Sequence, residues 1–427
     1  MSRLSPEFLS RSVEALFHSP TEATAGRPGA VGIELELIPV SPPAGCPGPD
    51  SDVLLDRIAA EVPAAGSFTF EPGGQFEYSG PACATLAEAV DDAEQTLERV
   101  AAAAREVDLE LRTRGLAPWF SPDDVGLRRP KPRYREMDRY MTRRGPWGRW
   151  MMRLSASLQV NLDFGTPEEA PGRWATANAL TPLLTAVFAN SPTVLPDGTS
   201  VVDGRWWIWR QLDPSRTGRL GERGAIGPGA DGAGILPWTE YLKFALTARV
   251  VFDADMRPVV VDGEEAPRFT DWWLAGGEDD GPTEDDWYAH LGTLFPDVRP
   301  RRWMEIRAVD VPERPWWPVP PALLSALLYD HRAREAADEV LGGLAASAPR
   351  AELSERAIRE GLADAELRAV ALELFGLAEG AMDRFPAGWF GDRARTATAE
   401  FRERYVETGR MQADEARESG EVTRLVS

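Results

Sequence analysis

The chain is short of cysteine, histidine and lysine, and each shortage removes a class of chemistry. Cys46 and Cys83 are the only cysteines in 427 residues. Two are too few for a disulfide framework and suit a reducing compartment. The three histidines, His18, His290 and His331, lie far apart. No H-E-x-x-H, C-x-x-C, EF-hand loop or G-x-S-x-G elbow accompanies them, so neither a zinc site nor a Ser-His-Asp site is indicated. Lys131 and Lys243 are the only lysines among 47 basic residues. A lysine nucleophile or Schiff base is therefore not expected, and any anion clamp must be arginine. Phosphate-binding signatures are missing too: there is no G-x-x-x-x-G-K-[ST], and no G-x-G-x-x-G opens a helix.

Long apolar runs are also lacking. No stretch approaches 18 uninterrupted apolar residues, so no membrane-spanning helix is expected. The first twenty residues have no apolar core of the signal-peptide kind, and a cytoplasmic location is expected. Positive charge is in deficit, with a formal net charge of −21. That disfavours nucleic acid and anionic membrane as partners, since both require clustered positive charge. Nothing in the sequence identifies a protein partner.

What is present is an ordinary globular composition, 43% hydrophobic and 27% charged, in a chain long enough for a large catalytic unit with an appendage. Strands are expected near 30–40, 67–71, 75–79, 154–164, 249–253, 258–262 and 302–309. Helices are expected at 5–17, 52–62, 86–113, 133–152 with a break at Gly145-Pro146, and 174–189. The glycine-rich run 227–234 reads as a loop. Beyond Pro320 the pattern is helical, and the polar residues from about 411 to 427 are expected to fray. Strands spaced irregularly among helices, without a βαβ alternation, indicate an α+β fold with a largely antiparallel sheet. The expected organisation is a strand-bearing unit over 1–320 and a helical section over 321–427 packed on it.

Four strand candidates share a pattern of period two, in which residues i and i+2 face the same way. Glu34 and Glu36 oppose Ile33, Leu35 and Leu37. Gln75, Glu77 and Ser79 oppose Phe76 and Tyr78. Ser157, Gln159, Asn161 and Asp163 oppose Leu158, Val160 and Leu162. Glu305 and Arg307 oppose Met304, Ile306 and Ala308. One face of an antiparallel sheet is often wet, and that accounts for any single strand. A merely solvated face, however, would mix its charges, because clustered carboxylates repel. If these strands are neighbours, Glu34, Glu36, Glu71, Glu77 and Glu305 converge. Hard oxygen donors without His or Cys suit Mg²⁺, which bridges carboxylates to phosphates. In the Arg- and Trp-rich run from Asp203 to Gly218, Arg205 or Arg216 can clamp a carboxylate or phosphate. Alternatively, the tryptophans pack a core and the arginines snorkel.

Several segments together resemble the glutamate–cysteine ligase family of the plant and proteobacterial type. They are Gly32-Ile-Glu-Leu-Glu36, Glu71-Pro-Gly-Gly-Gln-Phe-Glu-Tyr-Ser-Gly80, Arg133-Tyr-Arg-Glu-Met-Asp-Arg-Tyr-Met141, Gln159-Val-Asn-Leu-Asp163, Phe188-Ala-Asn-Ser-Pro192 and Asp213-Pro-Ser-Arg-Thr-Gly218. The run from His290 to Arg307 looks closest to the actinobacterial branch, which makes γ-glutamylcysteine for ergothioneine biosynthesis. The resemblance covers roughly residues 30–330, in order. It implies a glutamine-synthetase-like fold and a ligation that uses ATP and Mg²⁺, in which the γ-carboxylate of glutamate is phosphorylated and the amine of cysteine then displaces phosphate. It also implies metal ligands at Glu34, Glu36, Glu71, Glu77 and Glu305, with Arg307 beside Glu305 stabilising the transferring phosphoryl group. Arg205 would hold a substrate carboxylate, and Gln159 and Asn161 would line the pocket. Two positions depart from the family pattern. Tyr78 stands where Leu is usual, on the face away from the site. Asp203-Gly204 replaces a Ser that commonly precedes the arginine. Another amine acceptor on the same fold, or a non-catalytic binding protein, are the competing readings.

Overall fold

The structure is a computed structural model that describes residues 4–19, 26–41, 46–47, 53–54, 57–58, 66–220, 236–276 and 281–426. Its centre is an eight-stranded sheet. The strands are β1 (Val31–Ser41), β2 (Cys46–Pro47), β3 (Ser67–Phe70), β4 (Phe76–Ser79), β5 (Glu110–Arg112), β6 (Ser157–Leu162), β7 (Val298–Pro300) and β8 (Met304–Asp310). The order is β7-β8-β6-β1-β4-β3, with β2 and β5 also paired to β1, and every pairing is antiparallel. The α+β expectation therefore holds.

Register brings the polar residues together. Glu36 lies opposite Glu77 and Glu34 opposite Ser79 across β1–β4. Glu34 lies opposite Gln159 across β1–β6, Glu305 opposite Asn161 across β8–β6, and Arg299 opposite Glu305 across β7–β8. Directly opposed residues share a face of the sheet, so the four patterns found in the sequence fall on one side. On the other side Ile33, Leu35, Phe76, Tyr78, Leu158, Val160 and Ile306 are buried. That apolar face is covered by the helices Leu86–Arg105, Ala170–Val187 and Val319–Tyr329. Ala170–Val187 is buried nearly all round, which is why it reads as an apolar helix without a polar stripe. Tyr78 points into this core and its hydroxyl bonds Asp92.

Several boundaries differ from expectation. The helix expected over 86–113 begins at a Thr85–Glu88 capping box but ends at Arg105. Asp108 takes φ 55°, and the chain returns as β5 along Ile38, Pro39 and Val40. Segment 249–253 contributes only an isolated bridge from Arg249 to Arg268, and 258–262 a short strand at Val260–Val261. The helix expected over 52–62 is described only at 53–54 and 57–58, which are helical, and the loop expected at 227–234 lies outside the described residues.

The helical section beyond residue 320 is seen as Val319–Tyr329, His331–Ser347, Arg350–Glu360, Ala365–Met382 and Gly391–Phe401. The expected fraying after residue 411 is not found among the described residues. Gln412–Glu418 is helical, and Thr423–Arg424 pairs in parallel with Thr193–Val194. Leu425 is buried, and Glu421 pairs with Arg112 and Arg114 at 2.5 Å each. Local composition is polar there, but tertiary partners hold the segment. No helix among the described residues is long and apolar enough to cross a membrane.

Candidate active site

The polar face of the sheet forms the floor of a cleft of about 740 Å³. Glu34, Glu36, Glu71, Glu77, Gln159, Arg205, Glu305 and Arg307 all line it. Glu71 enters it from the turn between β3 and β4. Its carbonyl accepts from Gly74 N at 2.8 Å and its amide donates to Gln75 O at 2.9 Å. Gly74 has φ 90°, and a Cβ on Gly73 would come within 2.2 Å of Arg153 O. The Pro-Gly-Gly sequence is thus demanded by a left-handed turn pressed against a neighbouring backbone.

Glu36, Glu71 and Glu77 each offer an oxygen, and the three oxygens lie within 4.8 Å of one another. Glu36 is held by Ser157 N at 2.6 Å, Ser157 Oγ at 3.0 Å and Gln159 Nε2 at 3.0 Å. Glu77 accepts from Thr69 Oγ1 at 2.8 Å and Ser79 Oγ at 3.1 Å. Burial, then the neighbouring Glu77 and Glu36 charges, push the Glu71 carboxyl well above the usual carboxylate range. Burial and Glu77 raise Glu36 as well. Three carboxylate oxygens this close together, two of them on carboxyls whose ionisation is disfavoured, are suited to a hard divalent cation. Glu34 stands just outside this group and accepts from Asn161 Nδ2 at 2.7 Å. Burial and the Glu305 and Glu77 charges push it up to about 7.

Glu305 has a different setting. Arg299 clamps it in bidentate fashion, with Nε and Nη2 at 2.5 and 2.8 Å, and Arg307 Nη1 lies at 3.0 Å. Burial would raise the carboxyl, but the Arg299 and Arg307 guanidinium groups outweigh it and hold the group well below the usual range. Arg307 Nη1 also donates to Gln159 Oε1 at 2.6 Å, so Gln159 links Glu36 to Arg307. Arg205, on the helix Gly204–Arg210, has Nε at 2.6 Å from Asp310. The Asp203-Gly204 departure has a packing reason: a Cβ at Gly204 would sit 1.9 Å from Thr193 Oγ1, and the Asp203 side chain caps the helix at Trp206 N, 2.8 Å away.

Two expected residues are not part of the lining. Asn161 shares the polar face but is not among the residues that line the cleft; it donates to Glu34 and accepts from Trp303 Nε1 at 3.1 Å, so it orients a cleft carboxylate. Arg216 is removed altogether. Its side chain is fully buried and its nitrogens are engaged by Asp213, Thr293, Tyr140 and the Arg249 carbonyl. It ties the 213–217 turn to neighbouring elements and does not line the cleft. Sequence reading missed Arg299, Arg301, Arg133 and Tyr134, which line the cleft, and Asp310 behind it. The run Arg299-Pro-Arg-Arg302, one hairpin from Glu305, was the available signal for the first two.

A cleft that sets clustered carboxylates beside guanidinium groups has the equipment of an enzyme that handles anionic substrates together with a cation. The chain belongs to glutamate–cysteine ligase family 2, whose model matches residues 30–427, and it is a ligase. It is 34% identical over 398 residues to glutamate–cysteine ligase EgtA of Mycolicibacterium smegmatis, covering 89% of this chain and 86% of that one. The Mycobacterium tuberculosis EgtA is 31% identical over 390 residues, 86% of each chain. A chloroplastic glutamate–cysteine ligase of Brassica juncea is 33% identical over 280 residues, 64% of this chain and 52% of that one. A glutamate–cysteine ligase from Francisella tularensis solved with AMP superposes with a TM-score of 0.44 at 14% identity, over 94% of this chain and 96% of that one.

Proposed function

We propose that the protein joins the γ-carboxylate of glutamate to the amine of cysteine at the expense of ATP, with Mg²⁺, and that its product serves ergothioneine biosynthesis in the cytoplasm. The observation that carries this is the convergence of the Glu36, Glu71 and Glu77 oxygens with Arg205, Arg307 and Glu305 in one cleft. A γ-carboxylate oxygen attacks the γ-phosphorus of ATP and ADP leaves. The cysteine nitrogen then attacks the acyl carbon, phosphate leaves with the acyl oxygen, and the amine gives up a proton.

Phosphoryl transfer asks a protein for positioning and charge neutralisation more than for a nucleophile. Glu36, Glu71 and Glu77, with Glu34 beside them, would hold Mg²⁺, which when bound neutralises phosphate oxygens and the charge of these carboxylates. Arg307 is aimed by Gln159 and Glu305 and stabilises charge on the transferring group. Glu305 orients arginines from two strands, Arg299 and Arg307. Arg205 takes a carboxylate of the amino-acid substrate. In this reading residues 1–320 do the chemistry and 321–427 brace the sheet from behind.

The test is ADP release by the purified protein with Mg²⁺, ATP and glutamate, with and without cysteine, followed by product mass. Cysteine-dependent release with a γ-glutamylcysteine mass supports the proposal. Turnover only with another amine overturns the acceptor and keeps the chemistry. Silence with every amine overturns the reading.

A further inference from the structure

Alternation along β8 assigns Asp310 to the apolar face with Ile306 and Ala308. The register says otherwise. Ile306 pairs with Val160, but Val309 pairs with Leu158 and Asp310 with Ser157. Three steps along β8 match two along β6, so one extra residue is inserted. Such a bulge switches every later side chain to the opposite face. Asp310 therefore arrives opposite Ser157, on the side of Gln159 and the cleft.

The bulge also releases backbone groups from the ladder, and the Arg205 helix uses them. Arg205 Nη2 donates to the Arg307 carbonyl at 3.1 Å, and Trp206 Nε1 donates to the Ala308 carbonyl at 2.9 Å. Asp310 is fully buried. Its Oδ1 accepts from Arg205 Nε at 2.6 Å. Its Oδ2 accepts from Ser191 Oγ at 2.6 Å and Asn190 N at 2.9 Å. Ser191 Oγ in turn receives the Arg205 amide at 3.2 Å. Space is reserved for this carboxylate, since a Cβ on Gly115 would come within 2.1 Å of its Cγ. With Nε and Nη2 committed, Arg205 Nη1 has no hydrogen-bond partner among the described residues and is the nitrogen left to the cleft.

We propose that Asp310 is a positioning residue: by locking Arg205 against the β8 bulge, it presents one edge of the guanidinium to the substrate carboxylate and sets the affinity for the amino acid. This rests on the reading of Arg205 as the carboxylate-binding arginine. It makes Arg205 and Arg307 parts of one assembly, because the carbonyl of one anchors the side chain of the other.

The test is steady-state kinetics of the full-length protein, as cysteine-dependent ADP release, for Asp310→Asn, Arg205→Ala, the double variant and Ser191→Ala. Asp310→Asn should raise the glutamate KM by roughly tenfold or more, as expected when a charge-assisted hydrogen bond is lost, with the ATP KM within about twofold. Arg205→Ala should raise the glutamate KM at least as much. The double variant should be little worse than Arg205→Ala, because Asp310 acts through Arg205. An unchanged glutamate KM in Asp310→Asn, beside a raised one in Arg205→Ala, overturns the proposal and leaves the role of Arg205 standing. An unchanged KM in Arg205→Ala overturns the role of Arg205 and the proposal with it. Should Asp310→Asn fail to fold, Ser191→Ala decides: a glutamate KM raised a few-fold supports the proposal and an unchanged one overturns it.

Discussion

Arg216 looks like an anion clamp in the sequence and is a buried strut in the structure, and Arg216→Met separates the two. Methionine roughly fills the volume but leaves Asp213, 5% exposed, without its main counter-charge. In the intact protein burial pushes the Asp213 carboxyl up. The Arg216 charge, with donors from Tyr140 and Ser215, more than offsets this and leaves it below the usual range. Removing one partner of a buried ion pair costs about 3–5 kcal/mol. Unfolding entropy of about 2.1 cal/mol/K per residue gives about 0.9 kcal/mol/K for a chain of this length, so Tm should fall by about 3–6 °C. The measurement is calorimetric or tryptophan-fluorescence melting, paired with the glutamate KM, which should stay within about twofold because no substrate contact is lost. Adding Asp213→Asn to Arg216→Met should recover part of the loss, since it removes the stranded charge. A Tm within about 1 °C of wild type together with a raised glutamate KM would refute the strut and restore a substrate role.

Three further outcomes are expected. Glu71→Gln should lower cysteine-dependent ADP release by roughly a hundredfold or more and abolish the rise in Tm produced by Mg²⁺, because it breaks the three-carboxylate group. His290 is held neutral, its pKa lowered to about 3 by burial, with the Arg216 charge adding to the shift. Its contribution is therefore complete above about pH 6.5 and declines as pH falls, by about 3 kcal/mol between pH 6.5 and 4. His290→Gln can still donate to the Ala245 carbonyl that His290 Nε2 meets at 2.8 Å; melting across that range should show a shallower acid loss than wild type. Gly204→Ala should lower Tm by about 1–3 °C through overpacking against Thr193 Oγ1, and Thr193→Ala in the same chain should restore part of it.

Where reading the sequence succeeded, a strict period was at work. Glu34 and Glu36 stand between Leu and Ile residues, and in an extended strand that spacing leaves them no choice of face. Glu77, Gln159, Glu305 and Arg307 follow the same rule, and β1 lies between β4 and β6, so the faces coincide. Reading failed where the period was interrupted. Asp310 lies beyond a bulge that no residue of Met304–Asp310 advertises. The helix from Leu86 stops at Arg105 although its composition runs on, because β1 offers an edge to Glu110–Arg112. The tail after Met411 is polar, yet Glu421 meets Arg112 and Arg114 from distant parts of the chain.

The amino-acid sequence alone carries the chemical inventory: carboxylates and arginines, with few histidines, lysines and cysteines, alternating with apolar residues along four strands. Composition and local periodicity carry that information, since they depend on residue type and on the backbone repeat alone. Tertiary folding set the division of labour among the charged groups. It brought the oxygens of Glu36, Glu71 and Glu77 to a common point, paired Glu305 with arginines, and buried Arg216 away from the cleft. The reason is physical: what a charged group does is set by the charges, donors and water within a few ångströms of it. Here those neighbours come from distant parts of the chain: Glu36 and Gln159 are 123 positions apart, and Gln159 and Arg307 are 148.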